Sequence, residues 1–329
     1  MKKLAVLFFV LLVSSSAIMA QADIEKKIQT SMILVEDGEV IDLDAGNFDI
    51  SKSLSLDGKS NVTIRGKGMD KTILSFRSQV SGAEGIRVTN CTNITLEDLT
   101  VQDSKGDLIK TMHVNGITFR RVKAEWTGKP SEKNGGYALY PVQCENVLID
   151  SCIAIGASDA GIYVGQSKHI VVRNCTAYNN VAGIEIENSL YADVYNNLAT
   201  GNTGGILVFD LPDLVVKNGG HTRVYNNTVR ENNFSNFAPK GNIVAKVPKG
   251  TGILLIAANQ VEIFNNDIIN NATMGVGVIS YFLTENKIRD KAYDPYSSAI
   301  YIHDNLFERK KRKVPLEGRF AQIYWLSWI

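Results

Sequence analysis

Short stretches of apolar–polar alternation recur along this chain, each ending at a small or amide residue. One reads Val147-Leu148-Ile149-Asp150-Ser151-Cys152, and Ile170-Val171-Val172-Arg173-Asn174-Cys175 follows 23 residues later. Ala192-Asp193-Val194-Tyr195-Asn196-Asn197 comes 22 residues on, Thr222-Arg223-Val224-Tyr225-Asn226-Asn227 a further 30, and Val261-Glu262-Ile263-Phe264-Asn265-Asn266 a further 39. Ile300-Tyr301-Ile302-His303-Asp304-Asn305 closes the series, and Ile94-Thr95-Leu96-Glu97-Asp98-Leu99 and Ile117-Thr118-Phe119-Arg120-Arg121-Val122 fit the same frame upstream. A period of two is strand periodicity. Between these units a second strand type recurs: Gly161-Ile162-Tyr163-Val164, Gly183-Ile184-Glu185-Ile186, Gly205-Ile206-Leu207-Val208 and Gly252-Ile253-Leu254-Leu255.

Strands at a period near 22 residues, with no helical pattern between them, predict an all-β parallel solenoid of roughly ten coils. One coil cannot bury its own apolar face, so coils stack about 4.8 Å apart. Residues 23–35 place Ile24, Ile28, Met32 and Val35 on one stripe, which predicts a short helix capping the open N-terminal end. The spacings of 30 and 39 imply insertions at residues 210–221 and 234–249, with a third at 128–136. Loops on a solenoid commonly build one wall of its binding face.

This frame resembles the right-handed parallel β-helix superfamily, the fold of pectin lyases, over residues 33–308. The stretch from Ile41 to Phe48 looks like the first-coil motif of that superfamily, and residues 23–308 form the expected domain. The resemblance also implies an asparagine ladder inside a turn, matched by Asn197, Asn227, Asn266 and Asn305. Cys152 and Cys175 occupy the same column in earlier coils, behind Leu99 and Val122. Cys91, Cys144, Ser167 and Ser189 form a second column of small residues. These columns predict buried free thiols, although adjacent coils leave a Cys152–Cys175 disulfide open.

Composition changes this picture little. The 329 residues are 44% apolar and 21% charged, which excludes a disordered chain, a collagen and a coiled coil. With 35 basic and 34 acidic residues the net charge is +1, too small a field for nucleic-acid binding by phosphate neutralisation. The N-terminus carries an address. Lys2 and Lys3, the apolar residues 4–13 and Ala20-Gln21-Ala22 predict a secretory signal over residues 1–22, cut after Ala20 or Ala22. The apolar run reaches only about 15 Å, too short to span a bilayer. The expectation is a protein exported to the periplasm or beyond, without a membrane span. Residues 309–329 combine a basic run with an apolar tail containing Trp325 and Trp328, a candidate second cap. Oligomeric state is left open by the sequence.

Candidate chemistry follows from alternation, since residues beside the inward isoleucines point outward. Down the stack that outer column reads Arg87, Lys110, Tyr140, Tyr163, Glu185, Leu207, Leu254 and Tyr301. The column two residues on holds Gly165, Glu187, Phe209, Ile256 and His303, with Asp159 and Asp210 flanking it. Aromatic faces stack on sugar rings, and Lys110 and Arg87 can pair with uronate carboxylates, so the expected partner is an acidic polysaccharide. Lys240 adds positive charge in the insertion at 234–249. Superfamily enzymes use Arg, Lys, Tyr or calcium held by acids. The resemblance therefore implies a lyase or epimerase with Tyr163 as base, Lys110 as neutraliser of the sugar carboxylate, and Glu185 and Glu187 as a cation site, calcium being the candidate ion. A hydrolase using two of Asp159, Glu185 and Asp210 is the other chemistry these residues allow.

Several signatures are missing. Asp294-Pro295-Tyr296 only begins like the Asp-Pro-His-Asp/Glu motif of β-helical alginate epimerases, and there is no nucleophile elbow, His-Glu-Xaa-Xaa-His, phosphate loop or calcium nonapeptide. His113, His169, His221 and His303 are dispersed along the chain. The competing class is a non-catalytic envelope scaffold or binding module, which includes a weaker resemblance, through repeats alone, to NosD-like periplasmic β-helix proteins.

Overall fold

The alternation folds into parallel strands stacked coil on coil. In the computed structural model, which describes residues 24–310, a coil gives one strand to a nine-stranded sheet and, to an eighteen-stranded sheet, a bent pair or, at Thr92–Gln102 and Asn115–Glu125, one long strand. One coil shows the plan: Ala160–Gly165 lies in the nine-stranded sheet, then Lys168–Arg173 and Thr176–Tyr178 in the other. Coils stay in phase, because Ile162 pairs with Ile184, Ile184 with Ile206 and Ile206 with Ile253. These columns of Ile, Val and Leu run through one continuous core. Nine strands count out nine coils, and Ser298–His303 with Leu306–Glu308 begin a tenth. The expected signal peptide, residues 1–22, and the tail from residue 311 lie outside the described residues.

Stacked amides satisfy the buried bend between the paired strands. Asn197 N donates to Asn227 Oδ1, Asn227 N to Asn266 Oδ1 and Asn266 N to Asn305 Oδ1, each at 3.0 Å. Each side-chain amide donates onward, so every donor and acceptor has a partner in the dry turn. Sulfur continues the ladder upward. Cys175 N donates to Asn197 Oδ1 at 2.9 Å and Cys152 N to Cys175 Sγ at 3.4 Å. In the second small-residue column Cys144 N donates to Ser167 Oγ and Ser167 N to Ser189 Oγ. All four cysteines are buried and free. A second ladder, Asn180, Asn202, Asn232 and Asn271, turns the chain back toward the nine-stranded sheet.

The N-terminal cap is a helix over residues 24–34, with Ile28, Met32 and Val35 buried on the first coil. It also completes the edge of the nine-stranded sheet at its first strand, Lys52–Asp57. The Gln29 amide donates to Ser55 O and accepts from Ser55 N, as a neighbouring strand would, and Glu25 accepts from Ser51 N and Oγ.

The main departure from expectation is a roof. Insertions at residues 210–219, 231–250 and 280–297 fold over the outer face of the nine-stranded sheet, and the last of them was not read from the spacing. The reason lies in that face. Leu207, Phe209, Leu254 and Ile256 point outward, and each buried side chain of this kind contributes about 1.5–3 kcal/mol. Val244, Val247, Tyr281 and Tyr293 of the insertions cover them in a second apolar cluster. Asn242 Nδ2 bonds Asp159 Oδ2 at 3.0 Å, the Tyr293 hydroxyl donates to Asp210 O, and Lys246 Nζ reaches Thr284 O. The outward columns expected to meet a polysaccharide at Tyr163, Glu185 and Glu187 are therefore covered, and these side chains are buried. Tyr301 and His303 also leave the expected columns. They belong to Ser298–His303, which pairs with Asn259–Phe264 in the eighteen-stranded sheet.

Candidate active site

The nine-stranded sheet stays open only over its N-terminal coils. Arg87, Lys110 and Tyr140 stand in register there, facing outward on adjacent strands. Arg87 is exposed, Lys110 and Tyr140 half-buried, and the Lys110 ammonium lies 4.9 Å from the Tyr140 ring centroid. Tyr140, Tyr137 and Tyr163 form an aromatic cluster with centroids 4.3–5.0 Å apart, at the point where the open face meets the roof.

Behind this cluster lie three carboxyls. Asp159, Glu185 and Glu187 are 6%, 1% and 8% exposed. Tyr163 pairs with Glu185 and Gly165 with Glu187 across the next coil. Gly165 is what lets the phenol lie over the strand, since a Cβ there would stand 2.1 Å from the Tyr163 hydroxyl. That hydroxyl donates to Glu187 Oε1 at 2.7 Å. Burial, reinforced by the charge of Glu187, pushes Asp159 up to about 7. Burial also pushes Glu187 up to about 7, against the hydrogen bond from Tyr163. Glu185 is driven well above the usual carboxylate range by burial and then by Asp159 and Glu187, and its Oε2 has no hydrogen-bond partner. Nearer the mouth, burial raises Asp107 to about 6 while its Oδ1 accepts the Tyr137 backbone N–H at 3.1 Å.

These values set the chemistry the cluster can do. Carboxyls that titrate near neutrality can both hold and accept a proton in one working range. Tyr163 is placed differently from a base. Burial raises its phenol well above 10, the neighbouring Glu187 raises it further, and its proton already faces Glu187. Glu185 and Glu187 do not fit a calcium site. Calcium takes six to eight oxygens, no group of three or more His, Cys, Asp or Glu among the described residues is placed to hold a metal ion, and Glu187 Oε1 is engaged by Tyr163.

The structure thus gathers Lys110, Tyr140, Asp159, Tyr163, Glu185 and Glu187, with Arg87 at the rim. Phe209 and Asp210 are buried deeper under the roof, where burial raises Asp210 to about 6. Lys240 is exposed on the roof, and Tyr301 lies on the other sheet. Tyr137 and Asp107 were missed. Both stand two residues before the inward Leu139 and Ile109, where strict alternation turns a side chain into the core, so the frame did not offer them as outward residues.

Comparison with known proteins follows this geometry. The pre-neck appendage protein of Bacillus phage B103 is 25% identical over 198 residues, which are 50% of this chain and 23% of that protein, so the chain spans about a quarter of that relative. Among solved structures, DFA-IIIase from Arthrobacter chlorophenolicus A6 matches with a TM-score of 0.51 and 11% identity over 93% of this chain and 83% of that one. The alginate lyase AlyF-OU02 matches with a TM-score of 0.50 and 13% identity over 88% of this chain and 58% of that one. The family described as the right handed beta helix region matches residues 47–219 and 131–290. The chain belongs to this family, and its solenoid is a right-handed parallel β-helix.

Proposed function

We propose that this chain is an exported protein that binds an acidic polysaccharide at the mouth formed by Arg87, Lys110 and Tyr140, and processes it by proton transfer. The carrying observation is that Asp159 and Glu187, raised to about 7, lie directly behind that mouth. Arg87 and Lys110 supply the positive charge that draws a uronate carboxylate in, and Tyr140 supplies a ring face for the sugar. A lyase or epimerase removes the proton beside that carboxylate. The ionised member of the carboxyl group takes it, Lys110 stabilises the charge that develops, and the protonated member returns a proton to the sugar or the leaving oxygen. The alginate lyase among the solved structures is compatible with this reading through its fold. A non-catalytic binding module is the second reading, favoured by the roof that seals Glu185 from solvent.

The test is incubation of the purified protein with alginate, polygalacturonate, pectin and glycosaminoglycans in D₂O. Unsaturated uronate is followed by absorbance and deuterium at the carbon beside the carboxylate by NMR. Turnover of one polymer that falls at least about 100-fold in Asp159→Asn and in Lys110→Met supports the proposal. Retention of a polymer without turnover favours the binding module. Neither turnover nor retention of any polymer overturns both.

A further inference from the structure

The eighteen-stranded sheet carries a cleft of its own. It opens on the outer face of the strands Leu190–Tyr195, Gly220–Tyr225, Asn259–Phe264 and Ser298–His303, away from the carboxyl cluster. The second residue of each of these strands, and of Lys168–Arg173 before them, has left-handed backbone: His169, Tyr191, His221, Gln260 and Ala299 all have φ between 52° and 58°. Upstream the same column holds Asn61, Asn93, Gly116 and Asn146, also at positive φ. Asn and Gly are the usual occupants of that conformation, and a bulky ring is a rare one. Halfway along the solenoid the chain thus places rings in this column, two of them the tolerated histidine and one, Tyr191, an unfavourable occupant.

Those rings form a stack that stops short. His169 and Tyr191 are 5.4 Å apart and within 8° of parallel, and Tyr191 and His221 are 4.8 Å apart and within 12°. In the next two coils Gln260 and Ala299 carry no ring, and a cleft of about 470 Å³ opens there, bounded by His221, Gln260, Glu262 and Tyr301. That volume is in the range of ligand clefts. Tyr191 and Tyr301 are 50% and 61% exposed. Charges in the cleft are paired off. Arg223 holds Asp193 through two bonds of 2.6 and 2.8 Å, and Glu262 faces His303 at 3.1 Å.

We propose that this cleft is a binding subsite for a neutral saccharide, whose ring takes up the stack where the His169–Tyr191–His221 column ends. A pyranose offers an apolar C–H face to a ring, and its adjacent hydroxyls are donors and acceptors at once, matching the Gln260 amide and the Asp193–Arg223 and Glu262 groups. Among the described residues lining the cleft, a charged sugar finds no unpaired cation. The site therefore differs in position and in ligand charge from the one on the nine-stranded sheet, and it stands without that reading.

Tyr191→Asn and His221→Asn test it, because each restores a residue type that the same column carries upstream. The full chain and both variants are titrated calorimetrically with cellohexaose, mannohexaose, laminarihexaose and xylohexaose, with hexagalacturonate as the charged comparison. The expected result is binding of at least one neutral hexasaccharide, weakened about ten-fold or more in both variants, with Tm unchanged or higher. No neutral binding, equal binding in the variants, or tighter binding of hexagalacturonate to this cleft overturns the proposal. Asp159→Asn is expected to leave the neutral titration unchanged, so failure of the polysaccharide-processing reading is seen separately.

Discussion

Replacing Asp159 by Asn and Glu187 by Gln should make this protein more stable at pH 7.5 relative to pH 5, and the reason is a linkage between burial and protons. In the unfolded chain these carboxyls ionise at their ordinary values, 3.8 and 4.5, and in the fold only near 7. Between those limits the native state holds more protons than the unfolded one, so stability falls as pH rises. Across the whole window the effect is about 4 kcal/mol for Asp159 and about 3 kcal/mol for Glu187. The two repel one another, and their protons leave in steps that belong to the pair. From pH 5 to pH 7.5 we expect a loss of about 3–5 kcal/mol, or about 6–10 °C in Tm for a chain of this size. Asp107 and Asp210, raised to about 6, add in the same direction and leave a residual slope in the variant. Asp42, which Arg65 and Lys67 hold down at about 2, acts only in stronger acid. The assay is thermal unfolding of wild type and double variant at half-unit steps of pH. Parallel Tm profiles for the two proteins would refute the reasoning, because the cluster would then carry no differential protonation.

Two further substitutions probe other parts of the fold. Asn227→Ala removes the bonds Asn227 Nδ2 gives to Val194 O and Asn266 Oδ1 and strands the Asn197 donors that point at Asn227 Oδ1; a loss of about 2–4 kcal/mol is expected, read as a lower midpoint in denaturant. Gly165→Ala puts a methyl where the Tyr163 phenol lies, so Tyr163 must leave Glu187; turnover, where present, should fall at least about ten-fold with little change in the circular dichroism of the solenoid.

The solenoid was legible because its signals are local and repeat. The inward isoleucines, the Asn197-to-Asn305 ladder and the Ile28–Met32 stripe each follow from side-chain direction within a single strand or turn. The second ladder shows in the sequence only as the Asn179-Asn180, Asn232-Asn233 and Asn270-Asn271 doublets, and its remaining member, Asn202, stands alone. Glu185 and Glu187 face outward as the alternation predicts, but the expected cation site on an open face is covered by the roof. Which way a residue points is set by its own strand, whereas what covers it is set by aperiodic insertions tens of residues away. Leu207 and Leu254 in the same column were the available warning, since an outward leucine column asks for a cover. Tyr301 fits both strand types by local pattern, and only the pairing of Ile300 with Val261 places it.

A bare stack of coils melts like a zipper, each repeat answering only to the one above and below. The roof breaks that rule. Asn242 is tied to Asp159 and Tyr293 to Asp210, each pair 83 residues apart, and Lys217 to Asp290. These ties bypass the intervening coils, so amide exchange is expected to protect the C-terminal half as one block, while the coils before Tyr137 are held by nearby coils and the helical cap. The solenoid is therefore expected to open as two cooperative units, with the mouth at Lys110 and Tyr140 on the seam between them.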